Sequence, residues 1–265
     1  MPSSQDALTM LERSLAAFEL DSTWRDLHLI EFDLNGVLNP SLMLDKLFFE
    51  TGVLPGFSAF SDRYIDLHFL EVKRRYVRLI ELEESGKEDE LRRLMSDYAY
   101  QHFRAALNNG ASDEELKLSL QARLYRTLAG IYTEYHAYHL CAKLLGRENV
   151  KRSAALDARG VDFVLTTDQG AANIHVIRHS APALVALSGK ITSKKATAAA
   201  GIHIVLPYGI HGKLPESTRR IGQGFHVFRE SYLSGLLTAM TLYAGLERVL
   251  IYESGNLHPF LDGKT

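Results

Sequence analysis

Acidic and basic side chains occur in two neighbouring apolar segments beyond the middle of the chain. Asp162 has apolar residues on both sides, and the following segment, 173–179, carries His175 and Arg178. A carboxylate in an apolar strand is costly unless it is paired or bound to a metal ion. Mg²⁺-dependent phosphodiester cleavage uses carboxylate ligands and a positive group near the phosphate. Asp162 is therefore a candidate metal ligand, and an ion pair with Arg159 or Arg178 is the structural alternative.

Glu134 is a second candidate metal ligand. It lies on a predicted helix that leads into the strand region, and its helical neighbours Ile131, Tyr135 and Tyr138 indicate a partly buried face. A solvated glutamate among tyrosines is the alternative interpretation.

These residues resemble the site of PD-(D/E)XK nucleases, in which an aspartate lies beside an acidic or amide residue and a lysine on two adjacent strands. Here the second strand differs. If His175 takes the acidic position, Ile177 occupies the lysine position; if Arg178 replaces the lysine, Val176 occupies the acidic position. Arg178 can stabilise phosphate charge, but its high pKa makes it a poor proton shuttle.

Other side chains could supply the missing function of that second strand. His175 or His179 could act as a base or a ligand. A positive charge could also come from Lys190, Lys194 or Lys195 on the following predicted helix. The sequence leaves these alternatives open.

The elements that position these residues change type near residue 148. Helical periodicity predicts helices before it, at 6–20, 62–84, 88–109 and 113–145, the last opened by a capping box of Ser112 and Glu115. Strands are predicted after it, at 153–156, 161–166, 173–179, 202–206 and 224–228, with helices at 183–200 and 230–246.

This order of elements predicts an α/β (α+β) fold. A helical N-terminal part, residues 1–111, is expected to pack on a mixed-sheet, PD-(D/E)XK-like nuclease core, residues 112–265. We expect one continuous body, bridged by the long helix 113–145.

Composition limits the class of protein. The 265 residues carry a formal net charge of -2, which argues against a wholly basic nucleic-acid coat but permits a local basic groove. The single cysteine, Cys141, excludes an intrachain disulfide and is predicted to be a buried thiol. No signal peptide and no apolar run of ~18 residues is recognised, so a soluble cytoplasmic protein is expected.

Three segments resemble the TaqI-type restriction endonucleases: 121–127, 153–163 with its Arg-Gly-Val-Asp-Phe block, and the late strand 224–228. The resemblance covers roughly residues 115–230. It implies a type II enzyme that cleaves a short palindromic site in double-stranded DNA with Mg²⁺, for which Mn²⁺ can substitute. It also implies Asp162 as a metal ligand, a homodimer, and a cognate DNA methyltransferase as a partner.

Candidate DNA contacts follow the core strands. Lys194, Lys195, Arg219 and Arg220 are expected to bind DNA, because arginine can make paired hydrogen bonds to guanine. The basic run 73–75 spreads around a predicted helix, so a solvated helix face is favoured there.

Two other functions remain open. The changed second strand is compatible with a nuclease-fold protein that binds DNA but cleaves it poorly or not at all. The segment 29–38, with Asp33 and Asn35, resembles the first motif of haloacid-dehalogenase-type phosphohydrolases, but Asn35 replaces the acid of that motif. An Asn-Gly turn is the favoured interpretation of this segment.

Overall fold

The computed structural model describes most of the chain, at residues 3–18, 40–87, 97–157, 159–181, 183–185, 187, 201–209, 214–243 and 248–260. The contacts divide the chain into two compact units. The sheet unit comprises Met1–Phe18 and Ala129–Thr265, and the helical unit comprises Glu19–Leu128.

Helices form all the regular structure described in the helical unit. They are α2 (Pro40–Thr51), α3 (Phe57–Glu84), α4 (Asp97–Asn108) and the beginning of α5 (Asp113–Leu145). The predicted capping box opens α5: the backbone N–H of Ser112 donates to Glu115 at 2.7 Å, and the N–H of Glu115 donates to the Ser112 hydroxyl at 3.3 Å. The helix α3 buries aromatic residues such as Phe60, Tyr64 and Tyr76 along one side.

A mixed six-stranded sheet organises the sheet unit. In order across the sheet, its strands are β1 (Val150–Lys151), β2 (Phe163–Thr167), β3 (Gly170–Arg178), β4 (Ile202–Tyr208), β7 (Val249–Glu253) and β8 (Asn256–Pro259). The strands β2 and β3 form an antiparallel hairpin, whereas β3, β4 and β7 run parallel. A separate hairpin joins β5 (Thr218–Ile221) to β6 (Phe225–Phe228).

The described part of this unit also contains the α-helices α1 (Ser4–Ala17), α6 (Ala154–Asp157) and α7 (Glu230–Leu242). Phe18, just after α1, packs edge-to-face on Tyr132 of α5 and on Phe225 of β6, with ring centroids 5.4 Å apart in both pairs. The first helix of the chain is thereby fixed to the hairpin β5–β6. Cys141 is buried in α5, as the sequence predicts.

The predicted mixed α/β fold class is confirmed, and one predicted strand is wrong. Residues 153–156 were expected to be extended, but Ala154–Asp157 is a short helix. The Ser153 hydroxyl accepts from the N–H of Leu156 at 3.3 Å, which caps a helical turn rather than extending a strand. The predicted helix at 183–200 falls largely outside the described residues, although 183–185 and 187 are helical.

Among the helices that the structure describes, none combines the length and the apolar character that crossing a membrane requires.

Candidate active site

Asp162 stands immediately before β2, and the neighbouring strand holds it. Its backbone N–H donates to the carbonyl of Ile174 at 3.0 Å, and its Oδ2 accepts from the N–H of Val176 at 2.6 Å. Backbone N–H groups of a strand point along the plane of the sheet. The Asp162 carboxylate therefore accepts a hydrogen bond at the edge of β3, just before the first residue of β2.

Arg178 ends β3 and is paired in register with Tyr208, the last residue of β4. Arg178 is exposed, whereas Tyr208 is partly buried. Burial raises the pKa of the Tyr208 hydroxyl; the charge of Arg178 lowers it, and the charges of Glu134 and Asp162 raise it. The charges of Glu134, Asp162 and Arg178 therefore all act on one hydroxyl, and we call these three residues together with Tyr208 the Tyr208 cluster.

The helix α5 brings Glu134 to the Tyr208 cluster. Gly130 lies one turn before Glu134, and a Cβ at Gly130 would come within 3.7 Å of the Tyr208 hydroxyl oxygen. Glu134 Oε1 is paired with Arg152 Nη2 at 2.8 Å, and only 3% of the Arg152 side chain is exposed. The Arg152 guanidinium also lies over the ring of Tyr135, 5.4 Å from its centroid. Glu134 is therefore held by a buried ion pair.

The donor atoms of the Tyr208 cluster fit one kind of metal ion. Within the described part of the chain, no group of three or more His, Cys, Asp and Glu side chains is arranged to hold a metal. Mg²⁺ keeps several waters and is commonly bound by one or two carboxylates together with substrate phosphate. Asp162 and Glu134 supply two carboxylates, so the residues fit a hydrated divalent ion better than an ion enclosed wholly by protein.

His175 lies on the other face of β3 from Arg178, because successive strand residues point to opposite faces. Its Nδ1 is 2.7 Å from the carbonyl oxygen of Gly160, and its Nε2 is 2.9 Å from Nδ1 of His203 on β4. His175 is 2% exposed. The structure therefore places Glu134, Asp162 and Arg178 close enough to Tyr208 for their charges to act on its hydroxyl. It places His175 in the core, on the other face of β3.

The two arginines predicted to bind DNA differ in their surroundings. Arg219 Nη2 pairs with Glu12 Oε1 at 2.7 Å, and the same oxygen accepts from His136 Nε2 at 2.9 Å. The His136 and Arg219 partners outweigh burial and lower the pKa of Glu12 to about 2. Arg220 is exposed. Arg219 is thus engaged within the protein, whereas Arg220 faces solvent.

Several candidate residues lie outside the described residues. These are Lys190, Lys194 and Lys195 of the predicted helix, and Asp33 and Asn35 of the phosphohydrolase-like motif.

The basic run on α3 is partly paired with acidic residues. Lys73 contacts Asp113 at 2.6 Å, and Arg78, three residues after the run, contacts Glu81 at 3.0 Å.

Reasoning from sequence did not single out Tyr208, Arg152 or His203. Tyr208 lies two residues after the predicted apolar strand 202–206 and directly precedes Gly209, so its position at a strand end was the available signal. Arg152 and His203 carry no comparable signal, because their partners, Glu134 and His175, are distant in sequence.

Comparison with known proteins gives one distant relative. The chain is 24% identical over 257 residues to the type II restriction enzyme TaqI of Thermus aquaticus, an alignment that covers 88% of this chain and 88% of that protein. No family model matches the chain. No solved structure matches it either.

Proposed function

We propose that this protein is a metal-dependent endonuclease that cleaves double-stranded DNA at a specific sequence. The observation that carries the proposal is the Tyr208 cluster: Arg178 and Tyr208 pair in register at the end of β3 and β4, Asp162 is hydrogen-bonded to Val176 of β3, and the charges of Glu134, Asp162 and Arg178 act on the Tyr208 hydroxyl. The similarity to a type II restriction enzyme over most of the chain supports the same class of reaction.

Asp162 and Glu134 are proposed to hold the metal, Mg²⁺ with Mn²⁺ as a substitute. Asp162 accepts a hydrogen bond from the N–H of Val176, and Glu134 is held through Oε1 by the buried Arg152 guanidinium. When bound, a divalent ion supplies charge stabilisation at the phosphate and lowers the pKa of a coordinated water.

Arg178 is proposed to bind the scissile phosphate. It is exposed at the end of β3, and a guanidinium matches the geometry of phosphate oxygens. Tyr208, its partner in register, is proposed to orient the phosphate or a water by donating from its hydroxyl, since burial raises its pKa and keeps it protonated. In-line attack of water would leave a 5′ phosphate and a 3′ hydroxyl.

His175 enters this proposal as a residue that supports the site. Both of its ring nitrogens form hydrogen bonds, to Gly160 and to His203, and the ring is buried, so it cannot exchange a proton directly with DNA. We therefore assign no proton transfer to this ring.

DNA contacts outside the site are proposed for Arg220, Lys194 and Lys195. Arg219 joins them only if DNA displaces Glu12 from its guanidinium. A homodimer is proposed because type II enzymes that cut palindromic sites match them with two-fold symmetry. A methyltransferase that modifies the same site is the proposed genetic partner.

A DNA-binding protein with little or no cleavage activity is the second candidate. It is favoured by one observation: depending on the register, Ile177 or Arg178 of β3 stands where PD-(D/E)XK nucleases carry lysine. Metal-dependent cleavage separates the two candidates.

The test is incubation of the purified protein with methylation-free plasmid and phage DNA in Mg²⁺ or Mn²⁺. We expect discrete fragments that are lost in Asp162→Ala. Asp168→Ala is the matched control, because Asp168 is an exposed carboxylate in the turn between β2 and β3. Intact DNA in every lane, with DNA binding retained, would establish the binding protein instead.

A further inference from the structure

Two buried histidines of the sheet unit contact each other on the face of β3 opposite Arg178. His175 Nε2 lies 2.9 Å from His203 Nδ1, and the two rings are nearly parallel, with 5.2 Å between centroids and 16° between planes. His175 is 2% exposed and His203 is 4% exposed. We call this pair the histidine dyad.

The carbonyl at one end of the dyad determines which nitrogen atoms carry protons. The Gly160 carbonyl can only accept, so Nδ1 of His175 must donate to it across 2.7 Å. In a neutral His175 ring Nε2 is then an acceptor, and His203 must donate to it from Nδ1. Both neutral rings therefore carry the proton on Nδ1. His203 donates to His175, and His175 donates to the Gly160 carbonyl.

The dyad ends on the turn that carries Asp162. Gly160 has a φ of +74°, a conformation that favours glycine, and it precedes Asp162 by two residues. Two residues of β3 that flank His175 hold Asp162 itself: Ile174 accepts from its N–H, and Val176 donates to its Oδ2. Three consecutive residues of β3 thus fix the turn and the carboxylate together.

We infer that His203 is a positioning residue for Asp162. By donating to His175 Nε2, His203 fixes the orientation of the His175 ring and keeps the ring proton on Nδ1. His175 Nδ1 can then donate to the Gly160 carbonyl, which holds the turn before Asp162. From this turn the Asp162 carboxylate accepts from the N–H of Val176. The consequence for metal binding rests on the proposed function, whereas the positioning itself is independent of it.

The test compares His203→Leu with His203→Asn in the full-length protein. Leucine removes the donor to His175, while the asparagine amide can occupy the place of Nδ1 and donate again. Amide hydrogen exchange at Val176 reports the contact with Asp162 Oδ2 directly. We expect His203→Leu to lose protection at Val176 and to need about 10- to 100-fold more Mg²⁺ for half-maximal DNA cleavage, with His203→Asn restoring both.

Tyr232→Phe is the matched control for general loosening of the core. It removes a buried hydrogen bond, 3.0 Å long, from the Tyr232 hydroxyl to the carbonyl of Tyr252 in the same unit. We expect it to leave the protection of Val176 unchanged.

The outcomes separate this inference from the proposed nuclease activity. Wild-type protection of Val176 in His203→Leu would overturn the positioning role. Lost protection in His203→Leu, in a protein whose wild type cleaves no DNA, would support the positioning role and remove the nuclease proposal. If His203→Leu fails to fold, ¹⁵N NMR of the wild-type imidazoles decides: protons on both Nδ1 atoms support the dyad, and a proton on Nε2 of either neutral ring overturns it.

Discussion

The two faces of β3 carry polar side chains in opposite situations. On one face, Arg178 is exposed beside Tyr208, and the charges of Glu134 and Asp162 act on the Tyr208 hydroxyl. On the other face, His175 is buried with both ring nitrogens engaged. One strand therefore separates groups that can meet a ligand from groups that hold the scaffold, and residue type alone does not distinguish them.

The largest expected effect comes from breaking the buried ion pair between Arg152 and Glu134. Arg152→Leu leaves the Glu134 carboxylate without its buried guanidinium, because the two side chains are 3% and 16% exposed. We expect a loss of roughly 3–5 kcal/mol in the free energy of unfolding, measured with urea. The control is Lys143→Met, which breaks a pair with Glu230 whose side chains are 25% and 53% exposed, and it should cost less than about 1 kcal/mol. Equal losses in the two variants would contradict the buried pair as a support of the site.

Arg178→Ala tests the exposed face itself. Loss of a positive group at the phosphate should reduce single-turnover cleavage roughly 100- to 1,000-fold. Because Arg178 is exposed, the free energy of unfolding should change by less than about 0.5 kcal/mol. Arg248→Ala, which removes another exposed arginine of the same unit, is the control. Equal cleavage by the two variants would remove Arg178 from the site.

Buried histidines should make the scaffold sensitive to acid. Burial, Arg152 and His136 lower the pKa of His139 to about 3, and burial lowers that of His136 against the opposing effect of Glu12. An unfolded histidine titrates near 6.5, so the unfolded chain binds more protons below that pH. The free energy of unfolding should therefore fall as pH decreases from about 6.5 towards 3. Urea midpoints across this range measure the slope, and His139→Leu should make it shallower; an unchanged slope would count against a neutral, buried His139.

Tyr208→Phe has the smallest expected effect. Removing one hydroxyl hydrogen bond should slow cleavage by about tenfold or less. Tyr232→Phe, on the same sheet unit, should leave the cleavage rate at the wild-type level. A Tyr208→Phe variant as slow as Arg178→Ala would mean that the hydroxyl does more than orient a bound group.

Much of the fold was predictable from local patterns. The helix α5 was predicted at 113–145 with its capping box, because Ser112 and Glu115 are close in sequence and their hydrogen bonds are local. Local patterns failed at 153–156, where the Ser153 cap outweighs the apolar run that follows it. They also gave no indication that α1 belongs with the sheet, since Phe18 meets Tyr132 and Phe225 only in the folded chain.

The candidate site was only partly predictable for the same reason. The sequence indicates Glu134, Asp162 and Arg178 separately, because each is a charged side chain among apolar or aromatic neighbours. Their common effect on Tyr208 depends on long-range contacts. The parallel pairing of β3 with β4 places Arg178 next to Tyr208, and the close approach at Gly130 places α5 near the Tyr208 hydroxyl. The burial of His175 likewise depends on His203, which no local pattern links to it.

Binding of Mn²⁺ measured by electron paramagnetic resonance tests the central claim most directly, because it reports the metal site without requiring cleavage. In the presence of DNA we expect wild-type protein and Asp168→Ala to bind Mn²⁺ alike, and Asp162→Ala and Glu134→Gln to lose this binding. Binding that is the same in all four proteins, or absent from the wild type, would contradict a metal site formed by Asp162 and Glu134.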